Sequence, residues 1–168
     1  HTPRTAVYLN NFADWTAYQT GFQVVSCSID LAGDDSTYND RKLDTIFVWV
    51  RDVMTEMILN PVSGTVFSPG SMITPQARLR NYGNVAETFT AEFKLDGPTA
   101  YSDVQTINGL LPGNYIDINF VQSGYLAAGF YTQSCSTALS GDMHNDNDRQ
   151  IENFLVIAEP ILLFPTNY

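Results

Sequence analysis

"CSIDLAGDDSTYNDR", Cys27 to Arg41, and "CSTALSGDMHNDNDR", Cys135 to Arg149, stand 108 positions apart in one chain of 168 residues. Both open on Cys-Ser and close on Asn-Asp-Arg. The same offset, carried outward without a gap, sets Phe12 on Phe120, Gly21 on Gly129 and Phe22 on Phe130. Leu31, Gly33 and Asp34 fall on Leu139, Gly141 and Asp142, and Val48 falls on Val156. A match of this length is an internal repeat, and a period of about 100 residues suits one sandwich domain per repeat better than a solenoid coil.

The residues between the two copies alternate with a period of two. In "ETFTAEFKLDG" the apolar set Phe89, Ala91, Phe93 and Leu95 faces away from Thr88, Thr90, Glu92 and Lys94, the pattern of a half-buried strand. "PQARLRNYG" sets Ala77 and Leu79 opposite Arg78 and Arg80, and "NYIDINF" sets Ile116, Ile118 and Phe120 opposite Asp117 and Asn119. Pro69-Gly70, Asp96-Gly97, Asn108-Gly109 and Pro112-Gly113 read as the turns between them. The β-branched and aromatic content of "LDTIFVWVRDVMTEMIL" predicts two successive strands there, not a helix. The chain is therefore expected to be all-β, an antiparallel sandwich.

The repeat also sets the domain plan. Residues 47–157 hold one full cycle, with strands expected near 50–59, 73–81, 87–95, 101–107, 114–121, 129–137 and 150–157. Residues 1–46 match only the last three strands of that cycle, and the tail 158–168 lines up with the opening of the leading strand. The plan is a partial unit (1–46), a complete sandwich (47–157) and a strand-like tail (158–168). Three strands cannot close a core, so the partial unit must be covered by another segment or subunit, through edge addition. A head-to-tail contact of that kind does not close on itself and builds a filament or tandem rod. The residues expected to carry assembly are Thr5, Val7, Leu9 and Phe12 at the front and Ile161, Leu162, Leu163 and Phe164 at the back.

A net charge of −10 sets the chain against nucleic acid and anionic membrane surfaces, which would repel it. No apolar run approaches the roughly 20 residues of a membrane span, so no membrane insertion is expected. With only His1 and His144, no Ser-His-Asp or Cys-His set forms. No phosphate loop or zinc spacing occurs. The chain is read as a non-enzyme of the extracellular space or cell surface.

The stretch from Val53 to Gly97, with its Pro-Gly, its Asn-X-Gly and its alternating Phe-rich strand, resembles the front half of bacterial CARDB-type (cell adhesion related) immunoglobulin-like domains. "INGLLPGNYIDINF", "GFYTQSCSTALSGD" and "NDNDRQIENFLVI" resemble the back half. The resemblance covers 47–157 fully and 5–48 as a half copy; a cysteine in each copy departs from it. It implies an immunoglobulin-like β-sandwich, with a partial second copy at the N-terminus, in a secreted or surface protein. It says little about activity. Two functions stay open: a structural protein that polymerises with copies of itself, or a carbohydrate- or ligand-binding adhesion module with a glycan partner.

The acidic loops also have two readings. Asp34, Asp35 and Asp40, and likewise Asp142, Asp146 and Asp148, supply the oxygen ligands that Ca²⁺ takes, although the spacing is not that of an EF-hand. The preferred reading is that Gly33-Asp34 and Gly141-Asp142 form Asx-type turns before the last strand. Cys27 and Cys135 sit at equivalent points of separate units, too far apart for one disulfide, and are expected to be buried free thiols. Trp15, Tyr18, Tyr82, Tyr101 and Tyr125 are read either as a sugar platform or as packing residues.

Overall fold

The computed structural model describes residues 12–158 apart from 15 and 18, and the chain divides into two compact units, 1–48 and 49–168. In the first unit, strands β1 (Gly21–Ser28) and β2 (Arg41–Val48) form an antiparallel hairpin, Gly21 opposite Val48 and Ser28 opposite Arg41. The loop between them contains a single 3-10 turn at Thr37–Asn39.

The second unit is a two-layer sandwich. Its strands are β3 (Val53–Asn60), β4 (Val66–Phe67), β5 (Gln76–Asn81), β6 (Glu87–Asp96), β7 (Tyr101–Leu110), β8 (Tyr115–Asn119), β9 (Gly129–Ala138) and β10 (Arg149–Val156). One sheet runs β4-β10-β9-β6-β7 and the other β3-β5-β8. Every described pairing is antiparallel except the short β10–β4 contact, Leu155 with Val66 and Val156 with Phe67.

Alternation in the sequence becomes alternation of burial. Ala77 and Leu79 of β5 and Phe89, Ala91, Phe93 and Leu95 of β6 all point into the space between the sheets. Phe93 meets Phe120 with ring centroids 5.3 Å apart, and Tyr131 stacks on Phe154 at 4.9 Å. Burying a side chain of that size contributes about 1.5–3 kcal/mol. Tyr131 also works as a strut: its hydroxyl donates to the Ala127 carbonyl (3.0 Å) and accepts the Thr99 amide (3.2 Å), the arrangement of a tyrosine corner. The Asn-X-Gly signal has a structural cause. Buried Asn81 donates to the Val85 and Leu110 carbonyls and accepts the Gly83 amide, which holds the β5–β6 turn against the end of β7.

Two details depart from the sequence reading. Asn108-Gly109 is not a turn but a bulge inside β7, where the register steps between Glu87–Leu110 and Phe89–Ile107. Gly109 takes φ +62° there and donates its amide to Thr88 Oγ1, so the extra residue is absorbed without ending the strand. Strand β4 was not anticipated, because two residues carry no period. "LDTIFVWVRDVMTEMIL" does divide into two strands, β2 ending at Val48 and β3 beginning at Val53.

Phe93→Ala should lower the unfolding free energy of the sandwich by about 3–5 kcal/mol. Val104→Ala, on the exposed face of β7, should change it by less than about 0.5 kcal/mol. Denaturant unfolding followed by tyrosine and tryptophan fluorescence measures both.

Candidate functional site

Hairpin β1–β2 repeats hairpin β9–β10 residue for residue. Gly21–Val48 corresponds to Gly129–Val156, and Ser28–Arg41 to Ser136–Arg149. The acidic loops are closed by the same bonds. The Asp34 amide donates to the Leu31 carbonyl (3.1 Å) as Asp142 does to Leu139 (3.2 Å). The Ile29 amide donates to the Asp40 carbonyl (2.9 Å) as Thr137 does to Asp148 (3.0 Å). Asp34 Oδ1 accepts the Ser36 amide and Asp142 Oδ1 the His144 amide, both at 2.8 Å. Gly33 and Gly141 take φ +83° and +78°, left-handed values open to glycine at no steric cost. These are the Asx turns expected from the sequence.

The surroundings of the two hairpins differ. In the sandwich the inner face of β9–β10 lies under β3, and the free side of β9 pairs with β6, Cys135 opposite Phe93. Thr137 and Leu139 are 5% and 9% exposed, and Cys135 and Phe154 are buried. Their counterparts Ile29 and Leu31 are 63% and 65% exposed, and Cys27 is exposed too. The expectation of two buried thiols therefore fails at Cys27, because nothing among the described residues covers its face. No described strand pairs with β1 on the side away from β2. The opposite face of the hairpin is apolar as well, with Phe22 set edge-on to Phe47 at 4.9 Å and Val24 and Leu43 exposed.

Of the residues expected to carry assembly, Phe12 is described, 70% exposed and beside Ser26, Cys27 and Ser28 at a shallow cavity of about 250 Å³. Thr5, Val7, Leu9, Ile161, Leu162, Leu163 and Phe164 lie outside the described residues, as do Trp15 and Tyr18.

Two carboxylates of the second loop, Asp142 and Asp148, are engaged with the protein. Asp142 Oδ2 accepts the Val53 amide (2.9 Å), tying the loop to the first residue of β3. Asp148 Oδ1 accepts the Thr137 hydroxyl (2.7 Å), and the Asp148 carbonyl accepts the Thr55 hydroxyl (2.8 Å). Burial lifts the Asp148 carboxyl above the usual carboxylate range; the nearby charges of Asp142, Asp52 and Asp146 add to the lift and the Thr137 bond opposes it. Asp34, Asp35, Asp40 and Asp146 lie on the two loops, and among the described residues no three His, Cys, Asp or Glu side chains gather closely enough to hold a metal ion. A clamp with no sequence signature completes this end of the sandwich. Arg51 donates to both oxygens of buried Glu87 (2.8 and 2.6 Å) and to the Ser140 carbonyl (2.7 Å).

Tyr101 is partly buried, its hydroxyl donating to the Val121 carbonyl, while Tyr82 and Tyr125 are exposed. Tyr115, which the sequence reading passed over, lies under the Arg78 and Arg80 guanidinium groups at 4.2 and 5.4 Å. Those arginines pair with Asp117 and Glu56 on the outer face of the smaller sheet.

No protein-family model and no curated protein matches the chain. Solved structures do. The CARDB domain of a Pyrococcus furiosus protein, determined in complex with two metal ions, is 13% identical with a TM-score of 0.52, covering 64% of this chain and 90% of that one. A domain of an inferred cell surface protein from Methanosarcina acetivorans is 18% identical with a TM-score of 0.51, covering 68% and 99%. At these identities the likeness is one of fold: the chain contains an immunoglobulin-like β-sandwich with the fold of that CARDB domain.

Two outcomes follow for solution measurements. In the unassembled chain Cys27 should react rapidly with a thiol reagent, and Cys135, whose thiol burial pushes up to about 12, should react only after denaturation. Asp148→Asn keeps the acceptor for Thr137 and removes a charge that the fold holds at a cost. The protonated Asp148 favours the folded state, and that contribution is lost as pH rises through its raised value. The variant should therefore melt higher than the parent at neutral pH, with the gap closing below the ordinary carboxylate range.

Proposed function

We propose that this chain is an extracellular, non-enzymatic structural protein whose units join head to tail by strand complementation, building a filament, pilus-like fibre or surface stalk. The observation that carries the reading is hairpin β1–β2. It has the register and turn bonds of the sandwich's closing hairpin, yet its inner face is exposed and β1 has an unpaired side among the described residues. Ile29 and Leu31, 63% and 65% exposed, each gain up to about 1.5–3 kcal/mol when fully covered, and Val25 and Ile46, already partly covered, gain less. An open edge beside such a face is a template for added strands. The cover is other polypeptide, and a second copy of this chain is the partner proposed.

Supporting the compartment, the M. acetivorans protein that shares the fold is an inferred cell surface protein. Among the described residues no helix is long and apolar enough to cross a membrane.

A carbohydrate- or ligand-binding adhesion module is the second reading. An open groove of about 610 Å³ runs where the edges of β7 and β8 lie side by side, setting the amides of Gln105, Asn108, Asn114 and Asn119 beside Ile116 and Ile118. Glycan binding by the single chain in calorimetry, with no concentration-dependent growth, would favour it.

Deleting residues 158–168 tests the first reading. Light scattering and negative-stain microscopy should show that assembly is lost, while the thermal transition of the sandwich is retained. A truncated chain that polymerises as the parent does overturns the proposal.

A further inference from the structure

The sandwich contains its own template for how hairpin β1–β2 is covered. In the sandwich, β3 lies over β9–β10 and is held at three points. The Val53 amide donates to Asp142 Oδ2 (2.9 Å). The Thr55 hydroxyl donates to the Asp148 carbonyl (2.8 Å) and faces Cys135 Sγ at 3.9 Å. The Val53 carbonyl accepts the Thr137 hydroxyl at 3.5 Å. Val53 and Thr55 are fully buried, while Met54 and Glu56 are only partly covered.

The 108-residue offset that relates the two hairpins sets Val53–Asn60 on Ile161–Tyr168. Resting on the complementation reading above, we propose that residues 161–168 of a second copy lie over hairpin β1–β2 in the register of β3. Leu163 then faces Cys27, and the Ile161 amide meets the Asp34 carboxylate.

Four observations carry this register. First, Asp34 holds its own turn through Oδ1, as Asp142 does, and Oδ2, the oxygen that in Asp142 receives Val53, has no partner among the described residues. Second, the polar contact beneath β3 changes on both sides at once. Ile29 stands where Thr137 stands and Leu163 where Thr55 stands, so neither surface leaves a buried hydroxyl unpaired. Third, apolar Ile161 and Leu163 fall at the inward positions of Val53 and Thr55, within a run, Ile161 to Phe164, that is apolar throughout. Fourth, Pro165 falls on Met57, at the register shift of β3, an edge strand of its sheet. Bulges and edge strands are where a sheet tolerates proline.

Leu163→Cys in the full chain tests the register, since Cys27 is a native thiol on the opposing surface. Under mild oxidation the variant should give a ladder of disulfide-linked dimers and higher species on a non-reducing gel, abolished by adding Cys27→Ser. Leu162→Cys and Phe164→Cys, which face away, should give none. A ladder from either of those in place of Leu163→Cys overturns the register. A disulfide confined to single chains overturns the second copy as donor. Filaments that form with no crosslink at any position overturn this inference and leave complementation standing; a chain that neither crosslinks nor assembles overturns both. The unsubstituted chain supplies a readout independent of folding defects. Cys27 labelling by a maleimide should slow by more than about tenfold on assembly, and unchanged labelling would count against the proposal.

Discussion

The contact between a leading strand and a returning hairpin governs this protein. Within residues 49–168 that contact is complete: β3 lies over β9 and β10, its first amide bound by Asp142 and its Thr55 hydroxyl by the Asp148 carbonyl. A β-hairpin has two demands that it cannot meet alone, an apolar face and a row of outward backbone groups. In the sandwich β3 meets the first demand, and β4 and β6 meet the second. The same hairpin occurs at β1–β2 with the demands unchanged and the facing sheet absent among the described residues.

The acidic loops take their meaning from this contact. Their glycines and aspartates turn the chain, and in the complete copy the second oxygen of Asp142 reaches beyond the turn to the incoming strand. A carboxylate placed this way is specific about register, because a shift of one residue along β3 would swap its inward and outward side chains. Polar groups elsewhere in the interior follow the same economy. Asn81 satisfies three backbone groups at the end of β5, and Gln133 donates to the Pro61 carbonyl, so the buried amides join loops to strands.

Arg51 and Glu87 add a second lock at this end of the sandwich. Glu87 is buried and Arg51 partly exposed, and the two meet through both carboxylate oxygens. A bidentate pair of this kind is oriented as well as attractive. Because Arg51 also binds the Ser140 carbonyl, the segment before β3, the start of β6 and the loop after β9 are fastened together. The fold at this end rests on polar geometry, while its centre rests on the packing of Phe93, Phe120, Tyr131 and Phe154.

The all-β class, the position of most strands and the equivalence of residues 21–48 with 129–156 were legible from alternation, turn residues and repeated motifs. Those signals are local: a side chain's place on one face of a strand follows from its neighbours two positions away. The Asx turns were legible for the same reason, since Asp34 and Ser36, like Asp142 and His144, are two residues apart. The bulge at Asn108-Gly109 was not, because glycine suits a turn and a bulge equally and only pairing with β6 separates them. Nor was the different fate of the two cysteines. Cys27 and Cys135 share a local sequence, a strand and a register, and burial is decided by residues more than fifty positions away that do or do not lie above them. Sequence by itself determined which faces are apolar and how the chain turns; tertiary structure alone decided which of those faces is covered, because cover comes from distant strands whose arrival no short-range pattern encodes.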